Sequence, residues 1–291
     1  MNIVYLNGSF MPKEEATISV MDRGFLLADG IYEVIPVYSG KLFRLKEHLN
    51  RLQRSLDAIR LPSPFTQKEW QTILCELVDK NGGGNQAIYL QVTRGVENIR
   101  DHRFPDQVKP TIFVMSNPIA KPTDEDLNHT LDNTPGISTI TTKDIRWDRC
   151  DIKSISLLPN ILLRQQALDA GAQEALLIKD GYLTEGAASN CFVIKDGVIF
   201  TPPKNELILG GITRDLVIEL ARENQIDCKE EPINEAALNN ADEIWISSST
   251  KEIVPVVQLN NKAVGQGVVG PLWRKMAELY IQYKLSLFET G

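Results

Sequence analysis

The sequence predicts a two-domain α/β protein with mixed sheets. Three observations carry this: alternating strand and helix signals up to residue 118, a polar, proline-bearing break at 119–136, and short strands interleaved with helices from 137 to 291. The first elements follow from local signals. Asn7-Gly8 between Ile3–Leu6 and Ser9–Met11 is a hairpin turn, and Ser39-Gly40 joins Ile31–Tyr38 to Lys41–Arg44. Leu45, Leu49, Leu52, Leu56 and Ile59 repeat at helical spacing, and that helix must end before Pro62. Thr66 and Glu69 form a capping box that opens a second helix with Trp70, Ile73, Leu74, Leu77 and Val78 on one face. Gly82-Gly83-Gly84 stops it, and strands at Ala87–Arg94 and Pro110–Met115 complete the unit.

Beyond the break, Pro159 opens a helix reaching Gly171. Strands are predicted at Ala175–Ile178, Tyr182–Thr184, Cys191–Ile194 and Val198–Thr201, with Asp180-Gly181 and Asp196-Gly197 as turns. Helices follow at Arg214–Asn224 and Glu235–Asn239, strands at Ile244–Ser247 and Val254–Leu259, and a terminal helix from about Gly270. The domains are therefore read as 1–118 and 137–291, joined by a linker at 119–136.

Composition narrows the function classes. The chain has 291 residues, 43% hydrophobic and 24% charged, as in a globular protein with a sizeable core. A net charge of −7 argues against a nucleic-acid partner or an anionic membrane surface. No apolar run approaches the length of a membrane span, and residues 1–8 lack the basic and apolar regions of a secretory signal, so a cytoplasmic protein is expected. Cys75, Cys150, Cys191 and Cys228 are scattered and read as thiols. His48, His102 and His129 are too dispersed to suggest a metal site.

The most informative residue is Lys153, in Arg149-Cys-Asp-Ile-Lys-Ser-Ile-Ser, just ahead of a helix. Flanked by Ile152 and Ile155, its amine is expected to be partly desolvated, which favours the neutral, nucleophilic form. A glutamate, Glu185, follows in Thr184-Glu-Gly-Ala-Ala-Ser-Asn190. An amine that forms a Schiff base and a carboxylate that keeps a pyridine nitrogen protonated are what pyridoxal 5'-phosphate chemistry needs. Gly210-Gly-Ile-Thr-Arg-Asp215 leads into a helix, so the amides of Ile212 and Thr213 can face a phosphate, and the Thr213 hydroxyl can join them. Ser247-Ser-Ser-Thr250 offers more hydroxyls at a strand end. Each feature alone has a plainer reading: a solvated lysine, a surface turn, a threonine N-cap.

Taken together, these runs resemble the fold-type IV pyridoxal-phosphate enzymes, which include D-amino-acid transaminases, branched-chain aminotransferases and aminodeoxychorismate lyases. The resemblance covers almost the whole chain and is nearest to the bacterial D-amino-acid transaminases. It implies pyridoxal 5'-phosphate as cofactor and Lys153 as the Schiff-base lysine and proton shuttle. Glu185 is implied at the pyridine nitrogen, Leu209 against the ring, and Arg51, Ile212, Thr213 and Ser249 at the phosphate. It also implies a homodimer, for which the sequence itself shows no interface stripe. One departure stands out: Ala187-Ala188-Ser189 replaces the relatives' serine run, so a hydroxyl role at position 188 is lost.

The loop Val96–Pro105 holds Arg100 and His102, a guanidinium fork and an imidazole that can converge on one carboxylate. The resemblance implies that this pair, reaching in from the neighbouring subunit, and Tyr32 bind the substrate α-carboxylate. The expected reaction is D-alanine plus 2-oxoglutarate giving pyruvate plus D-glutamate. The rivals are a branched-chain L-amino-acid aminotransferase, the lyase, and a non-catalytic small-molecule binding protein. For a nucleotide-binding version of the last, the chain has neither GxGxxG nor a P-loop lysine.

Overall fold

The computed structural model describes residues 2–107, 109–119, 131 and 133–289. Most of the 119–136 linker lies outside the described residues. Contacts divide the chain into two compact units, Met1–Lys121 with Ile152–Leu157, and Pro122–Asp151 with Leu158–Gly291. The short run with Lys153 thus packs with the first unit, although the sequence division places it in the second.

The first unit contains β1 (Ile3–Leu6), β2 (Ser9–Pro12), α1 (Arg23–Leu27), β3 (Gly30–Tyr38), β4 (Lys41–Leu42), α2 (Leu45–Ala58), α3 (Gln67–Lys80), β5 (Gln86–Thr93) and β6 (Thr111–Pro118). Its six-stranded sheet runs β2-β1-β6-β5-β3-β4 and is antiparallel throughout. The Asn7-Gly8 turn has positive φ at both residues (48° and 103°), the geometry a two-residue hairpin requires. Leu49, Leu52 and Leu56 of α2 and Trp70, Leu74 and Leu77 of α3 are buried against Ile31, Ile35, Ile88, Leu90 and Val92 of the sheet. In β3 the two-residue period turns Glu33 to the same face as Ile31 and Ile35. That period is why a carboxylate lies in this core.

The second unit contains β7 (Ile137–Lys143), α4 (Leu158–Asp169), β8 (Glu174–Lys179), β9 (Tyr182–Gly186), β10 (Asn190–Lys195), β11 (Val198–Thr201), α5 (Ile212–Glu223), β12 (Cys228–Glu230), α6 (Glu235–Asn239), β13 (Glu243–Ser248), β14 (Glu252–Leu259), β15 (Lys262–Ala263) and α7 (Pro271–Glu289). The sheet order is β12-β11-β10-β13-β14-β7-β8-β9, with β15 against β14. It is mixed: β7 runs parallel to both β8 and β14, and β11 parallel to β12. The parallel β7–β8 pair needs a long crossover, and α4 lies within it. The sequence reading did not anticipate β7, β12 or β15, and it started α5 two residues late.

Candidate active site

In the first unit a polar stripe runs along α2 beside its leucines. His48, Arg51 and Ser55 recur at helical spacing and are buried. Arg51 meets the Glu33 carboxylate as a fork, Nε to Oε1 at 2.7 Å and Nη2 to Oε2 at 2.7 Å, and His48 Nδ1 donates to Oε2 at 2.8 Å. Burial alone would raise the Glu33 carboxyl, but Arg51 and His48 outweigh it and hold it well below the usual range. Burial lowers the His48 imidazole against the pull of Glu33, so the ring is neutral near pH 7. Arg51 is therefore a rigidly held cation at the position expected to meet the phosphate.

Ser55 carries the stripe to the lysine. Its Oγ accepts from the Lys153 backbone N–H at 3.2 Å. The Lys153 carbonyl takes the Tyr32 N–H at 2.9 Å, the Ile155 N–H donates to Gly30 at 3.1 Å, and Ser154 forms a bridge with Ile31. The run 153–155 is thus laid as a short extra strand along the start of β3, and Ile152 sits in the core behind it. The backbone is pinned, while the half-buried Nζ stands 4.1 Å above the Tyr32 ring. Tyr32 in turn stacks on Tyr89, with ring centroids 5.6 Å apart. Arg100 and His102 lie exposed on the β5–β6 loop.

In the second unit the central group is Glu185, 5% exposed on β9. Arg146 Nη1 donates to its Oε1, while Asn190 Nδ2 (3.0 Å) and the Leu209 N–H (3.1 Å) donate to Oε2. Arg146 is shared with Asp144, its Nη2 donating to Oδ2 at 2.8 Å. Burial pushes the Glu185 carboxyl up to about 7, with Arg146 and the Leu209 amide pulling the other way. Asp144 would also rise on burial, but the hydrogen bonds from Arg146 hold it below its ordinary value.

Asn190 also donates to the Leu209 carbonyl at 2.8 Å, which ties Glu185 to the loop entering α5. That helix is capped by Gly211 rather than Thr213, so Ile212 and Thr213 are its first two residues, and their amides have no partner within the helix. A Cβ on Gly211 would fall 1.9 Å from Asn190 Oδ1, so the loop fits Asn190 only with glycine there. Ser249 is half-buried just past β13. Across the β10–β13 ladder from Asn190, Ser247 is 2% exposed, and its Oγ makes no hydrogen bond among the described residues.

The first unit therefore brings Lys153 to Tyr32 and Arg51 to Glu33, and the second brings Glu185 to Leu209 at the entrance to the helix that carries Ile212 and Thr213. Sequence reasoning missed Glu33, His48, Arg146 and Asn190. The signal for Glu33 was present as a carboxylate at an inward position between Ile31 and Ile35.

The amino-transferase class IV family model matches residues 30–259. The chain belongs to the class IV aminotransferases. It is similar to the D-alanine aminotransferase of Bacillus licheniformis, 42% identical over 94% of each chain, and to that of Staphylococcus haemolyticus, 42% identical over 97% of this chain and 98% of the relative. Among solved structures it resembles the branched-chain amino acid aminotransferase from Escherichia coli, with TM-score 0.85 and 27% identity over 96% and 93% of the two chains. A second branched-chain amino acid aminotransferase, solved with pyridoxamine 5'-phosphate, matches over the same shares at 27% identity with TM-score 0.88. As a class IV aminotransferase, this chain depends on pyridoxal 5'-phosphate. The chemistry of its residues is compatible with that group: the first amides of α5 can take an anion, the buried Glu185 carboxyl can meet a ring nitrogen, and the pinned backbone at Lys153 leaves its amine projecting.

The buried Glu185 carboxyl is expected to make the cofactor-free aminotransferase sensitive to pH. Its folded value of about 7 lies above the ordinary 4.5, so its contribution to stability is complete below about 4.5 and is lost as pH rises through 7. Denaturant titrations should show a loss on the order of a few kcal/mol between pH 5 and pH 8. Arg146→Met takes away the opposing cation, so the window should move up by roughly one unit or more. An unshifted window would show that Arg146 does not govern the Glu185 carboxyl.

Proposed function

We propose that this class IV aminotransferase exchanges the amino group of a D-amino acid with 2-oxoglutarate, taking D-alanine and 2-oxoglutarate to pyruvate and D-glutamate. The observation that carries this is the 42% identity, over nearly the full length, to D-alanine aminotransferases. When bound, the cofactor acts as an electron sink for the bond broken at the substrate Cα. Lys153 would hold it covalently and would carry the proton that leaves the substrate Cα. Glu185 keeps a proton at the ring nitrogen. Arg51, Ile212, Thr213 and Ser249 bind the phosphate dianion, with Leu209 against the ring. Tyr32, Arg100 and His102 take the substrate α-carboxylate, which fixes the face that presents Cα–H to Lys153.

The enzyme is read as a cytoplasmic homodimer. No helix among the described residues is long and apolar enough to cross a membrane. The dimer reading gains support from α4, where Leu158, Ile161, Leu162 and Leu168 form a stripe, each at least 49% exposed.

A panel of D- and L-amino donors with 2-oxoglutarate tests the reaction. D-alanine should be the best donor, and Arg100→Ala should raise its KM strongly, because the guanidinium supplies the charge-assisted fork to the α-carboxylate. The branched-chain aminotransferase is the second reading, favoured by TM-scores of 0.85 and 0.88 to the two solved branched-chain enzymes. A preference for L-leucine or L-valine would establish it and reject the D-specific assignment.

A further inference from the structure

The loop proposed to bind the α-carboxylate has little to hold its shape. Val96, Ile99 and Phe104 are exposed, so few apolar side chains anchor it. Its base is closed by two bridges, Asp22 with Val96 and Gly95 with Lys109. Beyond that base, two buried arginines reach it, Arg23 and Arg94. Arg23, at the start of α1, is 4% exposed and donates from Nη1 to the carbonyls of Asp101 (2.6 Å) and Arg103 (3.2 Å). Those two carbonyls bracket His102 and follow Arg100, so their positions set where both side chains leave the backbone.

Arg23 is itself fixed from behind. Its Nε donates to Asp29 Oδ2 at 2.9 Å, and the same oxygen accepts from Arg94 Nε at 2.8 Å. Arg94 is anchored to the end of α2 through the carbonyls of Ile59 (2.7 Å) and Arg60 (3.3 Å). The Phe104 ring, on the far side of His102, lies over the Arg94 guanidinium at 3.8 Å. Two buried cations sharing one carboxylate are costly to desolvate. Here their remaining donors are aimed at the loop and at α2, and their planar forks bridge several acceptors at once, which a lysine cannot do.

We propose that Arg23, Asp29 and Arg94 form a clamp that positions Arg100 and His102, and that the clamp sets the affinity for the substrate carboxylate without taking part in proton transfer. This rests on the reading that Arg100 and His102 bind that carboxylate. These are positioning residues, acting through the loop.

The test compares steady-state KM and kcat for D-alanine in the holoenzyme and in Arg23→Ala, Arg23→Lys, Phe104→Ala, Arg100→Ala and the Arg23→Ala/Arg100→Ala double variant. Arg23→Ala should raise KM roughly ten- to hundredfold, the loss of hydrogen bonds from a charged donor. Its kcat and bound-cofactor absorbance should stay close to wild type. Arg23→Lys keeps a charge beside Asp29, so it should recover stability but not KM. The double variant should lose less than the two single effects combined, because part of the clamp acts through Arg100 and the rest through His102. Phe104→Ala, at an exposed ring, should raise KM to a smaller extent and serves if Arg23→Ala does not fold. If Arg100→Ala raises KM while Arg23→Ala and Phe104→Ala leave it unchanged, the clamp is overturned and the carboxylate reading stands. An unchanged KM in Arg100→Ala would reject the carboxylate reading, and the clamp with it. Equal loss of kcat and affinity in Arg23→Ala, reversed by Arg23→Lys, would reduce the cluster to a stability role.

Discussion

Lys153→Ala is expected to abolish transamination while leaving the fold in place. The backbone at this position carries the structural load: its N–H goes to Ser55 Oγ, its carbonyl takes the Tyr32 N–H, and Ile152 is buried in the core. None of these is lost with an alanine. The side chain contributes a contact over the Tyr32 ring at 4.1 Å, worth about 0.5–1 kcal/mol at a half-exposed site. On the proposed role of Lys153, removing the amine takes away both the covalent attachment and the proton carrier. Proton transfer alone accounts for a loss on the order of 10²–10⁴-fold, and the covalent role adds to it. Unfolding midpoint, cofactor absorbance and turnover separate these effects. Stability should change by less than about 1 kcal/mol, the absorbance of the lysine-bound cofactor should vanish, and turnover should fall to background. Near-normal turnover in a folded variant would remove Lys153 from the mechanism.

The elements that sequence alone revealed are those set by local chemistry. Asn7-Gly8 and Ser39-Gly40 specify their turns because both residues of each must adopt positive φ, and the Thr66–Glu69 capping box starts α3 where it was read. Strand β7 escaped because Ser138, Thr139, Thr141 and Thr142 dilute its apolar alternation, and its partners β8 and β14 are distant in sequence. The start of α5 was misread because Thr213 is a usual N-cap, whereas Gly211 takes the role beside Asn190.

The candidate site divides along the same line. Lys153, Glu185, Ile212 and Thr213 stood in recognisable runs. The groups that hold them come from separate elements: Glu33 reaches Arg51 across β3 and α2, and Arg146 reaches Glu185 from the segment after β7. No run of sequence contains both members of either pair. The apolar stripe of α4 was hidden for another reason. Leu163 and Ala167 turn inward while Leu158, Ile161, Leu162 and Leu168 turn outward, so the helix has apolar residues on both faces and no amphipathic period to read.

Glu185→Gln is the second change with a large expected effect. In the folded chain Oε1 of Glu185 takes Arg146, and Oε2 takes Asn190 and the Leu209 amide, so the carboxylate faces donors on both sides. A glutamine amide presents two N–H groups where acceptors are required, and one of these donors must lose its partner at a cost of about 1–3 kcal/mol. Arg146 keeps Asp144, so the local frame should persist. The chemical loss should exceed the structural one. A neutral amide holds a proton at the ring nitrogen far less well than a carboxyl that burial has already made more basic, with a value of about 7. The half-reaction with D-alanine should slow by something on the order of 10²–10⁴-fold, as for an acid–base group removed. Cofactor affinity should change much less, because the groups proposed to hold its phosphate, Arg51 and the α5 amides, are untouched. The loss of stability between pH 5 and pH 8 in the cofactor-free protein should also flatten, since residue 185 no longer titrates. A Glu185→Gln enzyme with an unchanged half-reaction rate would show that Glu185 does not hold the ring proton, and a slope retained between pH 5 and pH 8 would assign that titration to another group.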